Sequence, residues 1–249
     1  MRAHSASAVI RSFWSSSPLE RSSLNVATTP SPTFESAEHA LADMEAVYGV
    51  RGIDGILRWM DLAIAGSILV ACAPLIGAIS LLIRVTSGAP VLYRGARVGR
   101  GGVVFEMLKF RTLRRGAEQR LGSAYGAELS ALTESEVTRI GRALRATHVD
   151  ELPQLWNVIR GEMSMVGPRP MRPLFLAELT VEMPQYAQRL VVRPGVTGFA
   201  QTRMTREESW SDKLAHDLEY IADRSVTLYL QVLAATAMRV ARRSLGAGA

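Results

Sequence analysis

Cysteine and histidine are scarce in this sequence, which has one cysteine, Cys72, and four histidines among 249 residues. A single thiol excludes an intramolecular disulfide framework, and the scattered histidines form no Cys/His cluster with the spacing of a zinc site. The start of the chain also lacks the apolar region and small-residue cleavage site of a secretory signal. We therefore expect the folded part of the protein to face a reducing compartment.

Acidic residues are outnumbered by basic ones, which gives a formal net charge of +6 and an isoelectric point near 10. This balance favours anionic partners, and charge alone leaves open nucleic acid, a phosphorylated substrate or an acidic membrane surface. The hydrophobic content of 48% is enough to bury a core. The length favours one domain with accessory segments over two full domains.

Residues 1–50 have no sustained apolar periodicity and are rich in Ser, Thr, Ala and Pro. Such a composition is typical of segments that cannot bury enough apolar surface to order themselves. We expect a disordered or weakly structured tail, with a short helix near residues 37–47.

Residues 62–83 carry no charge, and at ~1.5 Å per residue a helix of this length matches a hydrocarbon layer of ~30 Å. A buried core helix is the alternative, but soluble helices seldom stay apolar on all sides over such a length. Pro74 lies in the middle, where it removes a backbone donor and predicts a bend. We assign residues 51–88 to a membrane-inserted helix and its flanks.

Arginines lie on both sides of this apolar segment, so the positive-inside bias does not place its two ends on opposite faces of a membrane. The arginines are Arg51 and Arg58 before it, and Arg84, Arg94, Arg97 and Arg100 after it. A helix that enters, bends at Pro74 and returns satisfies both observations, although a tilted single span also keeps its backbone hydrogen-bonded.

Residues 89–249 are predicted to form a helix-rich α/β domain with a short β-hairpin. Pro90 to Tyr93 and Val103 to Thr112 have the pattern of two strands around a glycine-rich loop. Alternation along the second strand places Lys109 and Arg111 on one face. Helices are expected over residues 133–145 and from residue 152 to Gly161, where four apolar positions share one face.

In the C-terminal region the sequence predicts a polar helix over residues 211–223 and an apolar helix over residues 226–240. The apolar helix ends near Arg239, Arg242 and Arg243. This pattern is typical of an amphipathic helix at a membrane interface, with arginines near anionic headgroups. Packing in the core is an equal alternative.

Asp150 and Glu151 are adjacent carboxylates in what we predict to be the first turn of the helix that contains Pro153, a position where proline is tolerated. The partial positive charge of a helix start favours an ionised, nucleophilic carboxylate. Two neighbouring carboxylates repel, and a divalent cation held by hard oxygen ligands relieves that repulsion. We expect Asp150 and Glu151 to bind Mg²⁺.

Several cations elsewhere in the chain are candidates to converge on this pair: Lys109, Arg111, Arg145, Arg169 and Arg193. Arginine forks match the geometry and charge of phosphate oxygens. Arg169 and Arg193 each neighbour a proline, which stiffens the backbone that presents them. The alternative for any one of them is a structural salt bridge, which is a weaker explanation for five cations beside turns or strand ends.

A resemblance to a known family rests on five motifs that follow one another along the chain. They are Lys109-Phe-Arg-Thr112, Arg139-Ile-Gly-Arg-Ala-Leu-Arg145, Asp150-Glu-Leu-Pro-Gln-Leu-Trp-Asn157, Gly161-Glu-Met-Ser-Met-Val-Gly-Pro-Arg-Pro170 and Arg193-Pro-Gly-Val-Thr-Gly-Phe-Ala-Gln201. Together with the proline-broken apolar segment, they make residues 54–243 closely resemble the bacterial sugar transferase family, the monotopic phosphoglycosyl transferases. The resemblance implies a first membrane step of polysaccharide or glycoconjugate synthesis, in which a sugar-1-phosphate moves from a UDP-sugar to polyprenol phosphate.

The resemblance also implies residue roles and a location. Asp150 would be the nucleophile that forms a covalent phosphosugar intermediate, and Glu151 would help to hold Mg²⁺. The substrate-binding residues would be Lys109, Arg111, Arg145, Arg169, Arg193 and Gln201. The partners would be a UDP-sugar, polyprenol phosphate and inner-membrane lipids, without nucleic acid. The enzyme would lie in the bacterial cytoplasmic membrane with its catalytic domain on the cytoplasmic face.

Three residues depart from the family pattern: Ala73 where serine is frequent, His148 where a small hydroxyl residue is usual, and Phe199 where tryptophan is frequent. The first puts in doubt a polar contact at the helix break, and the second puts in doubt the cap before Asp150. A non-catalytic membrane-anchored protein that binds anionic lipid or nucleic acid is the alternative function. The sugar, the glycan pathway and the oligomeric state stay open at this level.

Overall fold

The computed structural model describes residues 32–117, 132–203 and 209–244. Within these residues the fold is helix-rich, with two small two-stranded sheets, which confirms the predicted helix-rich α/β class with a hairpin. The helices are α1 (Pro32–Tyr48), α2 (Ile53–Ala71), α3 (Ala73–Ser87), α4 (Arg139–Ala146), α5 (Gln154–Arg160), α6 (Pro173–Glu182), α7 (Phe199–Arg203), α8 (Trp210–Asp223) and α9 (Val226–Ser244). The strands are β1 (Leu92–Val98), β2 (Val104–Phe110), β3 (Ser164–Val166) and β4 (Gly195–Thr197), and 3-10 helices cover Arg100–Gly102, Val149–Glu151 and Pro184–Val191.

The apolar segment forms two helices, α2 and α3, which meet at Cys72 with a bend of 61°. The break falls just before Pro74, which lies in the first turn of α3, where its missing N–H costs no helical hydrogen bond. Among the described residues no single helix is long and apolar enough to cross a bilayer. The two helices of the bent pair, taken together, have the required length and apolar composition. The predicted bend is thus confirmed.

Large apolar side chains on the bent pair point away from the rest of the protein. Those exposed are Ile56, Trp59, Val70, Leu75, Leu81, Leu82 and Val85. The opposite side packs inward through Leu57 and Ala65 in α2 and through Ile79 and Ile83 in α3. The pair therefore has one face against the domain and one broad apolar face left uncovered in this chain.

The hairpin of β1 and β2 is antiparallel, and Tyr93 stands opposite Lys109 in its register. Asn157 of α5 is fully buried and fastens that helix to β2. Its Oδ1 accepts a hydrogen bond from the backbone N–H of Leu108 at 2.9 Å, and its Nδ2 donates to the carbonyl of Glu106 at 2.7 Å. The helix that follows the acidic pair is therefore fixed against the strand that carries Lys109.

Helix α1 is longer than the short helix expected in the tail, and it belongs to the folded domain. Its Ala37 and Leu41 are buried, and it packs against the 3-10 helix Pro184–Val191. Apolar residues spaced four apart lie on the same face of a helix, which gives α1 a narrow stripe to bury. The part of the expected tail before residue 32 lies outside the described residues.

Two helix predictions need correction. The single helix expected over residues 133–145 is broken, because Val137 forms a β-bridge with Leu113 and α4 begins only after it. In α9, Tyr229 and Val232 are buried in the core, while Leu230 and Met238 are exposed. The helix is thus part core and part surface.

Arg239 of α9 is not directed at lipid headgroups. It donates hydrogen bonds to the backbone carbonyls of Gln201 and Thr202. These bonds join α9 to α7, so this arginine has a structural role in the domain.

Candidate functional site

A cavity of about 540 Å³ opens between the hairpin, α4 and the 3-10 helix Val149–Glu151. Its described lining is strongly basic, with Arg94, Arg97, Lys109, Arg111, Arg114, Arg115, Arg145 and Arg172. Asp150 is the one carboxylate among the described residues that line it. A buried carboxylate among cations is suited to chemistry on an anionic substrate.

Asp150 and Glu151 lie in the 3-10 helix before α5 and not in an α-helical first turn, as the sequence had predicted. His148 precedes them with a left-handed backbone (φ 56°), which is uncommon for a residue with a side chain. The cap that the sequence put in doubt at His148 is absent. His148 makes no side-chain cap bond, and Thr147 donates instead to carbonyls at the end of α4.

Burial raises the pKa of Asp150, because desolvation disfavours its charged form, and the charge of Glu151 acts in the same direction. Lys109 and Arg145 lower the pKa but do not cancel the burial. This direction opposes the expectation that a helix start keeps Asp150 ionised. Asp150 is 7% exposed and lines the cavity, and within the described residues no hydrogen bond to its carboxylate is found.

Glu151 is held by Lys109, whose ammonium group lies 2.5 Å from Glu151 Oε1. Burial by itself raises the pKa of Glu151, but the charge of Lys109 and its hydrogen bond outweigh burial and bring the pKa below its ordinary value. The pKa values of the two adjacent carboxyl groups are therefore shifted in opposite directions. Glu151 is paired with Lys109, while Asp150 lines the cavity.

Arg145 and Arg111 occupy two sides of the cavity. Arg145 donates from Nε to Thr112 Oγ1 at 2.9 Å, which leaves its terminal nitrogens toward the cavity that it lines. Arg111 is 8% exposed, and its Nη2 donates to the carbonyls of Ser87 and Gly88 at the end of α3. Its Nε and Nη1 are buried without a hydrogen-bond partner. The bent helix pair is thus fastened to the cavity wall by a guanidinium with unused donors.

Three predicted site residues are not brought into this cavity. Arg169 is exposed, and it acts on Glu151 only through its charge. Arg193 donates from Nε to the carbonyl of Gly161 at 2.8 Å and lines a separate, smaller cavity beside α2. Gln201 lies in α7, where its carbonyl accepts from Arg239.

The two loops that carry Arg169 and Arg193 pack directly against each other. Gly167 donates to the carbonyl of Thr197 at 2.9 Å, and Gly195 donates to that of Pro168 at 2.9 Å. A Cβ on Gly195 would lie 2.1 Å from the nitrogen of Gly167. The glycines therefore allow the two backbones to come into contact.

Asp150 and Glu151 fit a Mg²⁺ site only if substrate oxygens complete the coordination shell of the ion. Within residues 32–117, 132–203 and 209–244, no three His, Cys, Asp or Glu residues cluster as a protein-only metal site. Mg²⁺ is commonly held by one or two carboxylates together with phosphate oxygens and water. One oxygen of Glu151 is already taken by Lys109, which leaves Asp150 and the other oxygen as hard donors.

The family model for bacterial sugar transferases matches residues 54–243, which include both halves of the bent helix pair and every wall of the cavity. The chain belongs to the bacterial sugar transferase family. Helix α1 lies outside the matched range.

Three curated relatives show the range of similarity to this bacterial sugar transferase. A UDP-N-acetylgalactosamine-undecaprenyl-phosphate N-acetylgalactosaminephosphotransferase of Aeromonas hydrophila is 36% identical, over 72% of this chain and 41% of its own length. A UDP-glucose:undecaprenyl-phosphate glucose-1-phosphate transferase of Caulobacter vibrioides is 37% identical, over 72% and 67%. An exopolysaccharide production protein of Rhizobium leguminosarum is 34% identical, over 76% and 96%. The chain thus spans about two fifths of the first relative and nearly all of the third.

Sequence reasoning missed several residues at the site, among them Tyr93, Arg97 and Arg172. All three line the cavity beside the predicted cations. The hairpin register supplies a signal for two of them, since Tyr93 faces Lys109 and Arg97 lies four residues along the same face. The sequence alone gives no signal for Arg172, which tertiary folding brings to the cavity.

Proposed function

We propose that this bacterial sugar transferase moves a sugar-1-phosphate from a UDP-sugar to polyprenol phosphate at the bacterial cytoplasmic membrane. The observation that carries the proposal is Asp150, a buried carboxylate in a cavity whose described lining holds eight cationic residues. The names of the Aeromonas and Caulobacter relatives support a UDP-linked donor and a lipid phosphate acceptor. They name different sugars, so the sugar of this chain is not assigned.

In the first half-reaction, an oxygen of Asp150 attacks the sugar-bearing phosphorus of the donor. A bond forms between that oxygen and phosphorus, while the bond to the bridging oxygen breaks and UMP leaves with the electron pair. In the second, an oxygen of the lipid phosphate attacks the same phosphorus. The Asp150–phosphorus bond breaks, the carboxylate is restored, and the product is a polyprenyl diphosphate sugar.

The side chains around Asp150 fit this chemistry, which depends on positioning and on neutralising charge. Lys109 and Arg145 lie beside Asp150 and lower its pKa against burial, which favours the ionised nucleophile. Mg²⁺ held by Asp150 and Glu151 together with diphosphate oxygens would neutralise charge that develops on the leaving phosphate.

The bent pair of α2 and α3 supports delivery of a lipid acceptor. Its exposed apolar face suits insertion into the cytoplasmic leaflet, and a helix that returns keeps both ends on one side. Arg111 joins the end of α3 to the cavity and keeps two buried donor atoms unused. A phosphate that arrives on a lipid chain beside α3 would come close to this guanidinium group.

The test is mass spectrometry of the full-length protein incubated with a UDP-sugar and no lipid. We expect a mass increase equal to one phosphosugar, located on Asp150, with a matching amount of UMP. Asp150→Asn should give neither product, whereas Asp223→Asn, which removes a carboxylate from an exposed position, should give both. UMP release at the wild-type rate by Asp150→Asn would contradict the enzyme proposal and favour a membrane-anchored binding protein.

A further inference from the structure

Tyr93 occupies an unusual position in the cavity, because its ring lies over Gly95 of its own strand. A Cβ on Gly95 would lie 2.3 Å from the Tyr93 hydroxyl and 2.7 Å from ring atoms Cε1 and Cζ. Only a residue without a side chain leaves room for the ring there. Arg97, the next residue on this face, hydrogen-bonds to the Tyr93 side chain.

The hairpin gives the cavity a direction. At one end Arg111 binds the last carbonyls of α3, where a lipid would enter. Lys109 comes next and stands level with Tyr93 in the register. Along β1, Gly95 and Arg97 lie progressively further from α3, at ~3.3 Å per residue. The Tyr93 ring, folded toward Gly95, is therefore on the side of Lys109 that faces away from the membrane helices.

We infer that Tyr93, Gly95 and Arg97 form the subsite for the uracil ring of the donor. This inference rests on the proposed function, in which the reacting phosphorus is at Asp150 and the lipid phosphate approaches from α3. The part of the donor that points the other way meets the Tyr93 ring. A flat aromatic side chain on a firm support is a platform on which a nucleobase stacks.

The polar groups around Tyr93 match a nucleobase better than the transferred sugar. Arg97 and Arg172, which line the cavity there, offer only hydrogen-bond donors, and uracil carries two carbonyl acceptors. Sugar hydroxyls are commonly bound by carboxylates, and Asp150 is the one carboxylate in the described lining. The sugar is therefore placed near Asp150 and the base near Tyr93.

The test compares two competitors of UDP-sugar binding to the full-length protein in lipid nanodiscs. UMP contains the base, whereas inorganic pyrophosphate contains only phosphate. Because base stacking on an aromatic side chain contributes ~1–3 kcal/mol, Tyr93→Ala should weaken inhibition by UMP about tenfold and leave inhibition by pyrophosphate unchanged. Tyr93→Phe retains the ring and should keep UMP inhibition close to wild type.

Gly95→Ala provides a second route to the same effect, because the added methyl group displaces the Tyr93 ring without altering it. It should also weaken UMP inhibition selectively. The matched control is Ala96→Ser, which adds one atom at the next, exposed position on the other face of the strand and should change neither competitor.

Three results would overturn the subsite. Equally weakened inhibition by UMP and by pyrophosphate would mean that Tyr93 only supports the phosphate-binding cations. An unchanged inhibition constant for UMP, together with a raised KM for the UDP-sugar, would place the sugar on the ring. Unchanged inhibition by both competitors would remove Tyr93 from the site. If the wild-type protein releases no UMP from any UDP-sugar, the proposed function itself fails, which is a distinct outcome.

Discussion

Lys109 and Glu151 are joined by a 2.5 Å hydrogen bond that closes the hairpin against the turn that carries Asp150. The bond uses one carboxylate of the acidic pair to hold a cation beside the other. The charge and hydrogen bond of Lys109 lower the pKa of Glu151, whereas burial raises the pKa of Asp150 against the opposing charge of Lys109. Adjacent residues thus take different roles because one has a partner and the other faces the cavity.

Lys109→Met should move the acid limb of the activity profile to higher pH. Lys109 is the largest favourable influence on ionised Asp150, so its loss raises the pKa of that carboxyl further, and activity is then lost at a higher pH as the solution is acidified. We expect a roughly 100-fold lower kcat at neutral pH, measured as UMP release across a pH series. Lys213→Met, which removes a cation from beside Trp210, should leave the acid limb in place.

Asp150→Asn should be more stable than the wild type near neutral pH. The folded-state pKa of Asp150 is above its ordinary value, so the folded state favours the protonated form, and ionisation as the pH rises through this range destabilises it. An amide removes that penalty. The Tm should therefore exceed that of the wild type at pH 7, and the difference should shrink as the pH falls and the wild-type carboxyl becomes protonated. A lower Tm at pH 7 would contradict this assignment.

Arg111→Lys should separate the two half-reactions. Lysine lacks the fork that holds the carbonyls of Ser87 and Gly88 while presenting further donors to the cavity. We expect a KM for the lipid phosphate raised about tenfold, with donor-only formation of the covalent intermediate close to wild type. Arg142→Lys, at an exposed position outside the cavity lining, is the matched control. An equal loss in both half-reactions would show that Arg111 serves the donor.

Asp61→Leu should destabilise the whole domain. This buried carboxylate of α2 accepts hydrogen bonds from Ser164 Oγ, the Met165 backbone N–H and Tyr229 Oη, all within 2.9 Å. Leucine leaves these donors buried and unpaired, at a cost of about 2–4 kcal/mol in the free energy of unfolding. Chemical denaturation in detergent measures it. Tyr229→Phe removes one of the three donors and should cost only about 1 kcal/mol.

The two ends of the bent pair should lie on the same side of the membrane. Gly52 has no atom within 4 Å of an added Cβ, so Gly52→Cys is accommodated, and Ala96→Cys marks the domain after α3. In a Cys72→Ala background, both thiols should resist a membrane-impermeant reagent in intact cells and react after permeabilisation. Reaction of Gly52→Cys alone in intact cells would indicate a single crossing and remove the re-entrant arrangement.

Local patterns were enough to predict several elements of this fold. The hairpin, the bend near Pro74 and the end of α5 at Gly161 all follow from backbone chemistry within a few residues. Predictions failed where distant segments compete for the chain. Val137 leaves its expected helix to pair with Leu113, and Trp156, expected on the apolar face of α5, is 52% exposed.

The amino-acid sequence by itself determined the acidic pair, the excess of cations and the apolar, proline-broken segment, because composition and short-range spacing are properties of the chain alone. Tertiary structure decided which cations reach Asp150. Arg145 and Lys109 do, while Arg193 is drawn to the carbonyl of Gly161. The reason is that a side chain's partners depend on backbone packing between segments far apart in sequence, which alternation and propensity cannot encode.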